Sequence, residues 1–275
     1  MTDERPLADQ VATREEGSVL WITLDRPEAA NAMTPDQRDR IVDLLEDASA
    51  RVEVRVVVLT ATGRHFCTGA DLRHSPPPPA RPDGAPERVV GDVARMIQTG
   101  AQRLVAGVLD CEKPVIAAVN GTAAGIGAHL ALACDLVIAA DTARFIEVFA
   151  RRGLVPDGGG CWLLPRLVGL QRAKELVFFG DDLPAAEAER LGLVNRVVPA
   201  DEVAAVAGAW AARLAAGPTR AIGLTKGLLN RSLDSDRATA FREEALAQEI
   251  NMTTQDANEG VAAFVERRDP AYRGW

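Results

Sequence analysis

Lysine, histidine and cysteine are all scarce in this chain. Of its 31 basic residues only Lys113, Lys174 and Lys226 are lysine. That arginine bias reads as genome composition. The acid excess, a formal net charge of −8, argues against a nucleic-acid partner held through phosphate contacts. It leaves room for a local basic pocket and an anionic ligand. The four cysteines, Cys67, Cys111, Cys134 and Cys161, are far apart with no C-x-x-C pair. Three lie in apolar or glycine-rich surroundings, which suits small buried thiols in a reducing compartment better than a disulfide framework. No apolar run is of membrane length, since Val115–Ala140 is broken by Asn120, Gly121, His129 and Asp135. Met1–Gln10 is polar and lacks the apolar core of a signal peptide. A cytoplasmic protein with no membrane partner is expected.

Several chemistries are missing as well. Gly125-Ile126-Gly127 could be mistaken for a dinucleotide fingerprint, but the third glycine would fall on Leu130. There is no G-x-x-x-x-G-K-[ST] phosphate loop and no G-x-S-x-G elbow. The three histidines, His65, His74 and His129, have no carboxylate or histidine at metal-ligand spacing, so no metal site is expected.

What is present is an ordinary globular balance, 47 % hydrophobic and 25 % charged over 275 residues, enough for one large domain or two small ones. Val19–Leu24 is β-rich and bounded by turn residues. Thr34-Pro35-Asp36-Gln37 announces a helix with a capping box and a proline at the first turn. Arg55–Thr60 is an apolar run of the kind buried on both faces of a parallel sheet. Together these make a βαβ unit. Ser75–Gly84, with its four consecutive prolines, predicts an exposed, mobile loop. A helix should resume near Glu87 and run towards Leu109. Val115–Val119, a short helix at Gly127–Cys134 and Leu136–Ala140 form a second unit. Beyond Gly180 the pattern predicts helices over Pro184–Leu191, Asp201–Ala215, Pro218–Asn230, Asp236–Glu249 and Thr254–Arg268, with a strand at Leu193–Val198. The fold class is therefore α/β, with a helical last quarter.

Three glycine-bearing segments remain to carry chemistry: Phe66–Leu72, Asn120–His129 and Gly153–Gly160. Glycines at strand ends let main chain approach a ligand. At the start of a helix, unpaired N–H groups favour negative charge. Two such turns facing each other would form an oxyanion hole.

At this point the chain resembles the crotonase superfamily, the enoyl-CoA hydratase/isomerase family, over nearly its whole length. The resemblance is carried by Asp25-Arg26-Pro27 with Asn31-Ala32, by Phe66-x-x-Gly69-Ala70-Asp71-Leu72, and by Lys113-Pro114-Val115-Ile116-Ala117-Ala118-Val119-Asn120-Gly121. It continues in Ala133-Cys134-Asp135-Leu136, Pro165-Arg166-Leu167-Val168-Gly169 and Glu259-Gly260 to Phe264, Glu266-Arg267-Arg268. It implies a crotonase-like spiral of ββα units over residues 1–200 and a helical region over 201–275 that packs trimers, often paired into hexamers. It also implies an acyl-CoA substrate, with coenzyme A part of the substrate and no separate cofactor.

The family chemistry is stabilisation of a thioester enolate by two backbone N–H groups, which by position belong to Ala70 and Ile126. Ile126 stands where a glycine is more usual; the donor survives but the side chain narrows the pocket. The implied substrate-contacting positions are Arg26, Glu28, Ala30, Thr68, Asp71, Leu72, Gly125, Phe149 and Pro156. Hydratases of the family place water with two glutamates, and here those positions hold His129 and Phe149. What remains is Asp157, where isomerase branches carry an acid, so Asp157 is expected to carry a proton and His129 to be a secondary polar group.

Each of these residues also has a plainer reading. Asp157 could cap the helix that follows, and Asp71 could cap one near it. His129 could be a core histidine, Glu147 an exposed strand-end residue, and Phe145 and Phe149 pocket wall or core. Arg26 could meet a coenzyme A phosphate or a surface carboxylate, and Arg267-Arg268 could be a solvated helix end. The preferred expectation is isomerase-type double-bond migration. The alternatives are a hydratase with a rearranged acid/base pair, His129 with Asp157 or with Glu147, or a non-catalytic acyl-CoA-binding relative.

Overall fold

The computed structural model describes residues 5–74, 80–87 and 89–275. Most of the proline run, residues 75–79, lies outside them. Pro82–Gly84 is exposed and without regular structure.

The chain builds two sheets. Strands β1 (Val11–Glu16), β2 (Val19–Leu24), β3 (Val56–Ala61), β5 (Val115–Val119), β7 (Leu136–Ala140) and β10 (Arg196–Val198) lie side by side in that order. The smaller sheet is β4 (His65–Cys67), β6 (Thr122–Ala124), β8 (Arg144–Ile146) and β9 (Leu183–Pro184). Apart from the antiparallel pairs β1–β2 and β8–β9, all pairings are parallel. Successive strands alternate between the sheets before a helix returns the chain, which gives the expected spiral of ββα turns. All of β5 and most of β3 and β7 are buried, so their apolar runs serve both faces of the large sheet.

The helices are α1 (Pro35–Ala50), α2 (Asp92–Ile97), α3 (Arg103–Asp110), α4 (Ile126–Ala133), α5 (Gly160–Val168), α6 (Leu170–Phe179), α7 (Ala185–Arg190), α8 (Val203–Ala215), α9 (Thr219–Arg231), α10 (Arg237–Asn251) and α11 (Gln255–Glu266). The capping box at α1 forms as its sequence predicts, Thr34 and Gln37 satisfying each other's backbone N–H groups. A π-helical turn, Gln98–Gln102, joins α2 to α3, so the helix foreseen from Glu87 starts five residues later. Every residue of α4 is buried, as suits a helix apolar on all sides at the centre of a domain.

Some elements were not legible. The Val11–Glu16 edge strand is polar and mostly exposed. The three-residue strands of the smaller sheet are too short for any periodicity. Glycines at the start and Pro165 inside concealed α5, and α6 follows it directly. The cysteines are all free, and three of the four are buried.

α8 seats Val203, Ala207 and Ala211 in the core with the sheet. α9 is tied back by Lys226, whose ammonium donates to the carbonyls of Val108 and Lys113 and pairs with Asp135 at 2.9 Å. This clamp lines a cavity of about 580 Å³ between the end of α4, α5 and α9. α10 buries none of its residues, and Phe241, Leu246 and Ile250 stand exposed on it. Replacing Lys226 by Met should cost about 3 kcal/mol in urea unfolding. That is the low end for a broken buried pair, because the Asp135 side chain keeps 21 % of its surface in solvent.

Candidate active site

The site is built where β4 and β6 end beside each other. Their parallel pairing sets His65 against Thr122 and Cys67 against Ala123, so the turns that leave them start as neighbours. Two glycines allow the backbones this close. A Cβ on Gly121 would sit 2.0 Å from the Arg64 carbonyl oxygen, and one on Gly127 would sit 2.2 Å from that of Cys67. No side chain fits at either position.

In the first turn Gly69 takes φ 111°. The Met33 N–H donates to the Gly69 carbonyl and the Asp71 N–H donates to the Met33 carbonyl, each at 2.8 Å. Met33 thus brackets Ala70 and leaves the Ala70 N–H without an acceptor among the described residues. In the second turn Gly125, at φ 54°, donates to the Ile146 carbonyl and α4 begins at once. The Ile126 N–H, at the first position of that helix, has no intrahelical partner. Two amides without an acceptor among the described residues, those of Ala70 and Ile126, therefore emerge from adjacent strand ends.

Around the first turn, polar contacts fix the main chain. Thr68 Oγ1 donates to the Ala30 carbonyl at 3.1 Å. Ala30 and Asn31 both adopt left-handed φ of 52°, an uncommon state for residues with a Cβ. The Asn31 side chain holds it there, accepting from the Arg26 N–H and donating to the Thr62 and His65 carbonyls. Glu28 lies in the short 3₁₀ turn Pro27–Ala29, 3.9 Å from the Arg26 guanidinium. Arg26 itself pairs with Asp71 at 2.7 Å, both side chains nearly excluded from solvent. Of the two partners considered for Arg26 the carboxylate is therefore the one in place, and it is a buried carboxylate.

Among the described residues Asp71 caps no helix. It accepts from the Arg73 N–H and guanidinium and lies 2.9 Å from His74 Nδ1. Burial alone would raise its carboxyl, but hydrogen bonds from Arg73, Arg26 and His74 overcome that and hold it well below the usual carboxylate range. Leu72 is exposed beside it.

The third segment brings Asp157 to the start of α5. Asp157 is half-buried, next to Pro156, and is not the cap of α5, whose N-cap is Gly159 with no side-chain bond. Burial pushes its carboxyl above the ordinary range, while the neighbouring His129 and the residue's own N–H draw it part of the way back.

His129 is fully buried and stands against this segment. Its Nε2 lies 3.0 Å from Glu147 Oε2, and its ring stacks on Phe149 at 5.3 Å and 11°. A Cβ on Gly158 would stand 2.9 Å from Nδ1 and 2.4 Å from Ile126 Cδ1, and one on Gly160 would stand 2.2 Å from Nε2. Glu147 is buried just beyond β8, not exposed, and Phe149 has left the strand to head a 3₁₀ turn. The signal for Glu147 was its spacing from Phe149, but the two meet His129 by different means, one through a hydrogen bond and one by stacking. Among the described residues no group of three or more histidine, cysteine or acidic side chains could hold a metal.

With this geometry in place, kinship is plain. The Enoyl-CoA hydratase/isomerase profile matches residues 14–274, and the chain belongs to that family of acyl-CoA enzymes. A probable enoyl-CoA hydratase of Rhodobacter capsulatus is 40 % identical, over 92 % of this chain and 93 % of its own length. The 1,2-epoxyphenylacetyl-CoA isomerase of Escherichia coli is 36 % identical, over 96 % of this chain and 98 % of its own length. The crystal structure of a putative enoyl-CoA hydratase from Streptomyces coelicolor superposes with a TM-score of 0.86 at 37 % identity, covering 99 % of this chain and 97 % of that one. Among the described residues no helix is long and apolar enough to cross a membrane.

Gly160 gives a test of the packing. Gly160→Ala should push the His129 ring off Glu147 and cost about 1–3 kcal/mol in urea unfolding, a typical overpacking penalty. Helix propensity alone would make the same change favourable by up to about 1 kcal/mol.

Proposed function

We propose that this enzyme moves a double bond in an enoyl-CoA thioester, with Asp157 as proton carrier. The thioester oxygen is held by the Ala70 and Ile126 N–H groups. Amides fixed in the fold need no reorganisation when the carbonyl becomes an enolate, and one such donor is worth roughly 2.7–4 kcal/mol of barrier. The Asp157 carboxylate takes the proton from the α carbon of a 3-enoyl group, leaving a dienolate. It returns that proton at the γ carbon, which yields the conjugated 2-enoyl thioester. Arg26, Glu28, Ala30, Thr68, Asp71 and Leu72 form the coenzyme A side of the site, and Gly125, Ile126, Phe149 and Pro156 the acyl side.

One observation carries the choice of migration over hydration. Asp157 is the carboxylate at the turns that accepts no hydrogen bond from another side chain among the described residues, whereas Glu147 is bonded to His129. Hydration needs an acid and a base on one water molecule, while migration needs a single carboxylate that gives back what it takes. The hydratase reading, with His129 and Glu147 as the rearranged pair, draws support from that buried contact and from the hydratase names of several relatives. A raised carboxyl suits proton return, because the protonated form is then less costly to populate.

The exposed apolar residues of α10, with Phe264 and Val265 of α11, fit a covering copy of the chain. Sedimentation should accordingly give a trimer or a pair of trimers. The chemical test supplies 3-enoyl-CoA and 2-enoyl-CoA and follows conjugation and hydration separately. Asp157→Asn should lower migration by about 10²–10⁴-fold, the range for loss of a general acid–base. In the parent enzyme kcat/KM should rise with pH through the elevated Asp157 value, since the ionised form is the base, and this limb should vanish in the variant. Efficient hydration indifferent to Asp157→Asn would overturn the reading.

A further inference from the structure

Next to the Asp157 turn lies a buried polar pair to which the migration just described gives no task. His129 and Glu147 are both buried, with Nε2 3.0 Å from Oε2. An ionised carboxylate only accepts, so the Nε2 side of the ring carries the hydrogen. The ring cannot turn to exchange its nitrogens. Phe149 covers one face, and Gly158 and Gly160 pack so closely against it that neither has room for a Cβ. Nδ1 is thereby committed to the Asp157–Gly158 side, where it has no hydrogen-bond partner among the described residues. A buried polar atom without a partner costs free energy, and this one faces the turn that carries the proposed proton carrier. Asp181 shares a small cavity with Glu147 but pairs outward with Arg151 at 3.3 Å, so it does not compete for the imidazole.

We propose that Glu147 is a positioning residue that presents the Nδ1 lone pair of His129 to Asp157, retaining the abstracted proton within the site until it is returned. This inference rests on the isomerase reading above. In the first step the α C–H bond breaks, its electron pair enters the dienolate, and the proton forms an O–H bond on Asp157. That O–H donates to Nδ1 instead of exchanging with water. In the second step the O–H bond breaks and the γ C–H bond forms, with no other reactant needed. His129 thus receives a hydrogen bond from the carrier, and Glu147 acts only through His129.

The test uses the full chain and two readouts. In the free protein, ¹⁵N spectra of labelled histidine should show His129 protonated at Nε2 and bare at Nδ1. Glu147→Gln, whose amide can donate as well as accept, should shift that ring towards the opposite tautomer. In turnover of 3-enoyl-CoA deuterated at the α carbon, the parent enzyme should deliver part of the label to the γ carbon. Glu147→Gln should lose most of that transfer and about 10- to 100-fold in kcat, the usual scale for removing a partner that orients a functional histidine. KM should stay within about twofold. Unchanged label transfer with an unchanged tautomer overturns the proposal. So does a parent spectrum with Nδ1 protonated and Nε2 bare, a result that needs no folded variant. If neither protein migrates the double bond, the isomerase reading has failed, and the parent tautomer alone still decides whether Glu147 sets the imidazole.

Discussion

The site depends on main chain meeting main chain. At Gly121 and Gly127 the backbone leaving β5 and entering α4 passes so close to residues 64–67 that a single methyl group would collide with a carbonyl. That approach sets the two glycine turns side by side, and with them the Ala70 and Ile126 amides, which have no acceptor among the described residues. Nothing about the donors requires a particular side chain, so their geometry is as rigid as the parallel pairing of β4 with β6. A buried helix, α4, is fixed behind one of them and the Met33 bridge behind the other.

The side chains around this frame divide into two polar groups. One, on Arg26, Asn31, Asp71 and Thr68, is internally satisfied and braces the first turn in a conformation that Ala30 and Asn31 would not adopt freely. Its charges are spent on each other, so it shapes the site more than it offers a free cation to a ligand. The other, on His129, Glu147 and Asp157, is incompletely satisfied: among the described residues one ring nitrogen has no hydrogen-bond partner, and the Asp157 carboxyl is engaged by no other side chain's hydrogen bond. Unsatisfied groups of this kind are expensive in a core and informative about chemistry.

Much of the large sheet was legible because its strands are continuous apolar runs, and Val19–Leu24, Val115–Val119 and Leu136–Ala140 have the bounds their residues announce. The smaller sheet was not, since three-residue strands carry no period, and the helix at Gly160 is disguised by the glycines that His129 demands. Ala70, Ile126 and Asp157 could be singled out by motif and by glycine spacing. The partnership of Arg26 with Asp71 and that of His129 with Glu147 span 45 and 18 residues, and no local pattern encodes such distances. Asp157 could also be read as a cap, a role that the turn at Gly159 takes instead.

The scarcity of lysine acquires a meaning beside an activated thioester. Lys113 and Lys226 are buried, and Lys174 alone among the lysines is exposed. The guanidinium groups that make up most of the positive surface stay protonated and are poor nucleophiles. A protein surrounded by acyl donors thus offers one lysine amine to stray acylation, whatever pressure on base composition first removed the others.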